Sequence, residues 1–101
     1  GRIPLAVATG ADRAIGSKIL GYLKITDWFD ALVTSDDVAR HKPEPDIFLE
    51  AARRIGIAPG GCLVYEDADL GIEAARRAGM DVVDVRTFYR PRRVTPGELK
   101  P

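Results

Sequence analysis

The stretch "CLVYEDADLGIEAARRAGMDVVDV", residues 62–85, decides the fold. It opens on an apolar run that ends on an acid and predicts a strand over 62–66. Small and apolar residues at helical spacing follow over 69–78, and Gly79 supplies the stop. "DVVDV", residues 81–85, predicts the next strand. Strand, helix and strand at these lengths imply a parallel pair joined by a right-handed crossover. Three acids, Glu66, Asp67 and Asp69, stand where the strand gives way to the helix. They could hold a metal, supply a nucleophile or cap the helix.

Working outward, the same alternation repeats. "IPLAVA" (3–8) is apolar without a polar face, as expected of a strand covered on both sides. Thr9-Gly10 end it. A helix over 12–23 carries Ile15, Ile19, Leu20 and Leu23 at helical spacing, with Asp12 placed to cap it. "FDALVTS" (29–35) predicts a second strand, and "DDVARHKPEP" (36–45) a loop with room for a short helical turn. Pro45 suits the first turn of a helix over 46–55, whose Ile47, Phe48, Ala51, Ala52 and Ile55 form one apolar face before Gly56 stops it. From Thr87 the chain holds Pro91, Pro96 and Pro101 without periodicity and reads as an irregular tail. The order βαβαβαβ implies a doubly wound parallel α/β sheet, with four strands and three main helices.

The composition excludes several classes. Fifteen basic and fifteen acidic residues cancel, so no global field draws in nucleic acid or an anionic membrane. No apolar run approaches the roughly 20 residues that span a bilayer. Cys62 is the single cysteine and has no internal partner, which fits a reducing, cytoplasmic setting. No signal peptide is visible, and an opening on Gly1-Arg2 that runs almost directly into a strand suggests part of a longer protein.

In doubly wound sheets, ligands bind outside the carboxyl ends of the strands. Residues at that edge are Thr9-Gly10, Ser35-Asp36-Asp37, Glu66-Asp67 and Arg86, and Lys42 can reach it from its loop. Thr9-Gly10 joins a hydroxyl to a small residue beside a helix start, which suits an anion or a plain turn. Lys42, stiffened by Pro43 and Pro45, could aim an ammonium at a phosphate or be a solvated lysine. His41 reads as a surface or packing residue. Glu66 and Asp67 repel each other unless a cation sits near them, and Mg²⁺ is a natural partner; the alternative is that Asp67 or Asp69 caps the next helix. A phosphate cradle, a cation and a metal site at one sheet edge are what phosphoryl transfer requires.

These residues also carry a family resemblance. "LAVATG", "HKPEPDIFLEAARRIGIAP" and "CLVYEDADLGIEAARRAGM", in that order, resemble the second, third and fourth motifs of the haloacid dehalogenase superfamily. They are closest to its β-phosphoglucomutase-like and sugar-phosphatase branch, which acts on compounds such as fructose 1-phosphate and 6-phosphogluconate. The resemblance runs from about residue 4 to residue 86. It implies that Thr9, with the backbone of Gly10 and Ala11, binds the transferring phosphoryl group. It implies that Lys42 neutralises that group and the aspartyl-phosphate intermediate. It further implies that Glu66 and Asp67 hold Mg²⁺, directly or through water. Asp69 matches no catalytic position and stays a helix-start residue.

One departure is large. The family's first motif, Asp-x-Asp-Gly-Thr after an apolar strand, supplies the nucleophile and the general acid/base, and nothing before Thr9 provides it. Asp67-Ala68-Asp69 lies inside the fourth motif and is not a displaced nucleophile. The cap domain that selects substrate is also absent. Residues 1–101 therefore read as a partial core, motifs two to four, with a tail from about 87. The resemblance places the missing strand mid-sheet, between 3–8 and 62–66. Its absence leaves two apolar edges across a gap, open to pairing with another chain, or lets those strands meet. The chain alone is expected to be inert and marginally stable. The function so implied is Mg²⁺-dependent hydrolysis of a small sugar phosphate. The alternatives are a phosphomutase, a receiver-like signalling domain, disfavoured because Thr9 and Lys42 precede the acids, and a non-enzymatic interaction module.

Overall fold

The computed structural model describes residues 3–88. Four strands and three helices alternate: β1 (Ala6–Ala8), α1 (Arg13–Tyr22), β2 (Ala31–Val33), α2 (Asp46–Ile55), β3 (Leu63–Glu66), α3 (Asp69–Arg77) and β4 (Asp81–Asp84). The predicted order holds, with the strands shorter than their apolar runs. The expected tail lies almost wholly outside the described residues.

Local chemistry sets the helix ends. Asp12 accepts the Ile15 N–H and caps α1 as expected. Gly56, at φ 73°, closes α2 in the left-handed conformation that glycine adopts without strain. Pro45 sits just before the first turn of α2, at its cap. At α3 the cap is Ala68, and no side chain bonds the first turn. Neither Asp67 nor Asp69 therefore caps it.

All strand pairing is parallel, but there are two pairs instead of one sheet. β1 pairs with β2, Val7 opposite Leu32, and β3 pairs with β4, Val64 opposite Val82. β1 and β3 do not meet. Between them lies a cleft of about 940 Å³, lined by residues of β1, of β3 and of α2. Of the two outcomes expected for the absent central strand, the gap is the one realised.

Helix α2 holds the halves together. Its Ile47, Phe48, Ala51 and Ala52 are buried with Val33 from β2, and with Ala74, Ala75, Ala78 and Met80 from α3 and its exit.

The expectation that residues 3–8 are covered on both faces fails: Ile3 and Leu5 are exposed and Ala6–Ala8 are only partly buried. In β3, Leu63 and Tyr65 are exposed too. A strand needs a layer on each side to bury both faces, and here only α2 and its neighbours supply one. Helix α1 buries Gly16 and Leu20, while Ile15, Ile19 and Leu23 stand exposed. Gly16 lets α1 lie close to Thr9 and Thr34, which turns its larger apolar residues outward.

A charge network locks the exit of β2. The Asp37 carboxylate accepts the Thr34 N–H at 2.8 Å, an Arg13 guanidinium N–H at 2.6 Å and an ion pair from Arg54 at 3.3 Å. The Thr34 amide, then the two arginines, hold Asp37 down at about 2 from its ordinary 3.8. The folded chain thus binds fewer protons than the unfolded one, so this contribution is complete above about pH 4 and lost as pH falls through about 2. Asp37→Asn should flatten the fall of Tm with acid across that window, read by circular dichroism melts. Parallel wild-type and variant slopes would refute it.

Candidate active site

The carboxyl ends of β1 and β3 open on the two sides of the cleft. At β1, the Thr9 N–H still pairs with the Val33 carbonyl at 2.9 Å, and the chain then turns. The Thr9 hydroxyl accepts the Ala11 N–H at 3.1 Å, which leaves its own proton to donate. The Ala11 carbonyl in turn accepts the Ser35 N–H at 3.0 Å, so the turn is docked on the end of β2. Space above Gly10 is open. Of the amides expected to meet a phosphate, that of Ala11 is already engaged by Thr9.

Across the cleft, Lys42 Nζ donates to Glu66 Oε2 at 3.0 Å, with side-chain exposures of only 21% and 11%. The ammonium also lies 5.1 Å from the centre of the Phe48 ring, a cation–π distance. Glu66 Oε1 accepts the backbone N–H groups of Asp67 and Ala68 at 3.0 and 3.2 Å. Burial pushes the Glu66 carboxyl up, but Lys42 and the Asp67 amide outweigh it and the net movement is down. The contact with Lys42 and the Asp67 amide thus favours the Glu66 carboxylate form.

The Lys42 loop is tied at both ends. Arg40 binds Asp46 at the start of α2 through two N–H donors at 3.0 and 3.2 Å, and Glu44 accepts from Arg77 of α3 at 3.2 Å. The Lys42–Pro43 peptide is cis. His41 is exposed.

The predicted residues thus fall into two groups. Lys42 and Glu66 are in direct contact, and exposed Asp67 follows Glu66. Thr9, Gly10 and Ala11 lie on the other strand pair, and no hydrogen bond joins them to Lys42 or Glu66. Among the described residues no group of three or more His, Cys, Asp or Glu side chains converges for a metal. Asp69 pairs with Arg86 at 2.7 Å, and Arg86 also binds Asp84 at 2.9 Å, which fastens the end of β4 to the start of α3. Phe48 and Gly71 reach this site without having been read as part of it. Phe48 gave only a core signal, and Gly71 only that of a glycine inside a helix.

Residues 1–85 match the family model for haloacid dehalogenase-like hydrolases. The chain belongs to that family. Fructose-1-phosphate phosphatase YqaB of Escherichia coli (strain K12) is 55% identical over 86 residues, covering 85% of this chain and 46% of that protein. A solved β-phosphoglucomutase of Clostridium difficile superposes with a TM-score of 0.75 at 33% identity, over 81% of this chain and 36% of that one. CbbY of Rhodobacter sphaeroides, solved in complex with phosphate, gives 0.74 at 31%, over 79% and 37%. This haloacid dehalogenase-like chain spans less than half the length of these relatives. The resemblance read from its three motifs is borne out, as is the α/β class.

Proposed function

We propose that these residues are part of the catalytic core of a Mg²⁺-dependent phosphatase that acts on a small sugar phosphate. The observation that carries this reading is the half-buried Lys42–Glu66 pair at the carboxyl end of β3, beside the apolar cleft. An ammonium fixed there supplies a positive charge that needs no reorganisation when phosphoryl oxygens arrive. Thr9 would donate its hydroxyl proton to the same group from the β1 side, and Lys42 has two further N–H donors for it.

Hard carboxylate oxygens suit Mg²⁺, which binds through one or two carboxylates and keeps its waters. Exposed Asp67 fits as a ligand, and Glu66, whose oxygens are engaged, fits better through water. Bound there, the ion would neutralise charge on the phosphoryl oxygens. The cleft between β1 and β3 is the place for a strand outside these residues, which would bring the nucleophilic aspartate to Lys42. Residues 1–101 are then a partial core domain. The same constellation serves a phosphomutase, in which a bound sugar phosphate instead of water takes up the phosphoryl group.

The test is hydrolysis of p-nitrophenyl phosphate with Mg²⁺. The 101-residue chain should be inactive, and a longer chain that supplies the Asp-bearing strand should be active. Robust turnover by the 101 residues alone would overturn the proposal.

A further inference from the structure

Gly71 lies buried in the first turn of α3, where glycine is a poor choice for a helix. Its backbone gives no reason for it, since the positive-φ glycines of the described residues are Gly56 and Gly79. The reason is space. A Cβ on Gly71 would overlap Cγ, Cδ and Oε2 of Glu66. Oε2 is the oxygen that holds Lys42 Nζ at 3.0 Å. The other oxygen is bound to the Asp67 and Ala68 amides, so the carboxylate cannot swing aside without giving up those two hydrogen bonds.

We propose that Gly71 is a positioning residue for Lys42. The bare Cα at position 71 is the seat of the Glu66 carboxylate, and the seated carboxylate fixes the ammonium at the sheet edge. Any side chain at 71 evicts Glu66 and releases Lys42, although it leaves the backbone of α3 intact. The functional consequence rests on the phosphatase reading above; the seat itself does not.

The experiment is a cycle of Gly71→Ala and Glu66→Ala in this chain, read by thermal melting and by the NMR signals of the Lys42 ε-methylene, which the Phe48 ring shifts. In the wild-type background, Gly71→Ala should lower Tm and move the Lys42 signals toward their positions in Glu66→Ala. In the Glu66→Ala background the same change should raise Tm, because alanine favours the helix and nothing remains for its Cβ to strike. That reversal of sign is the diagnostic. Equal Tm changes in both backgrounds, or Lys42 signals indifferent to Gly71→Ala, would overturn the proposal. If Gly71→Ala alone fails to fold, the double variant decides: a Tm above that of Glu66→Ala supports the seat, and failure to fold refutes it. The phosphatase reading is judged separately, by p-nitrophenyl phosphate hydrolysis in the longer chain: a reversal kept in this chain beside an inactive longer chain counts against the phosphatase reading and for the seat.

Discussion

Replacing Lys42 by alanine, in a chain that carries the complete site, should lower kcat/KM for p-nitrophenyl phosphate by about 10²–10³-fold. Such a loss is expected when one preorganised charge is removed from a site that stabilises developing negative charge. Lys42 is preorganised by its surroundings: Glu66 holds one N–H at 3.0 Å and the Phe48 ring lies 5.1 Å from the ammonium. Truncation also leaves the Glu66 carboxylate half-buried without its cation, so the variant should melt lower than the parent. Lys42→Arg should recover little, because a planar guanidinium cannot take the place of a compact ammonium between a carboxylate and a ring. Steady-state kinetics and melts of the three proteins check both statements. Activity of Lys42→Ala within about threefold of the parent would remove Lys42 from the phosphoryl site.

Phe48→Ala should leave this chain unfolded at 25 °C. Phe48 is 6% exposed and belongs to the cluster that α2 forms with β2 and α3. Truncating a buried phenylalanine costs about 3–5 kcal/mol. Domains of ordinary completeness have only about 5–15 kcal/mol to lose. This chain begins lower, with an open cleft between β1 and β3 and with Leu63 and Tyr65 exposed on the β3 face. Phe48 also forms part of the cleft wall, so its loss joins a new cavity to an existing one. Phe48→Leu keeps most of the volume and should stay folded while losing the ring beneath Lys42. Far-ultraviolet circular dichroism and urea titration separate the outcomes. A cooperative, wild-type-like transition for Phe48→Ala would show that the α2 cluster does not hold the halves together.

Much of the fold was legible because its signals are local. Pattern and caps placed α2 at Asp46–Ile55 and found the Asp12 cap and the Gly56 stop, since each depends on neighbours within a turn. Parallel pairing followed from the alternation of strands with helices. The exposure of most of the α1 apolar face was not legible, because periodicity names such a face without saying what covers it. Ile15, Ile19 and Leu23 form such a face, and the approach at Gly16 turns it to solvent. In the site, Lys42 and Glu66 were legible as types placed after strands, and the family motifs gave them roles. Their contact was not legible, because it spans 24 positions of sequence.

By itself the sequence determined the element order, the helix limits, the carboxyl edge as the place for chemistry and the family. It also determined that no nucleophile-bearing strand precedes Thr9 within these residues. The tertiary structure alone decided that β1 and β3 stay apart. A pair of strands closes only if the helices behind it allow the approach, and α2 packs on β1 and β2 while meeting the second pair chiefly through α3. It alone decided that Asp67 and Asp69 do not cap α3, since the cap falls on Ala68 and Asp69 turns to Arg86. It also decided that Glu66 is committed to Lys42. The Glu66 carboxylate has two amides of its own turn on one oxygen and Gly71 of the next helix beneath it, and only folding brings the distant Lys42 ammonium to its other oxygen.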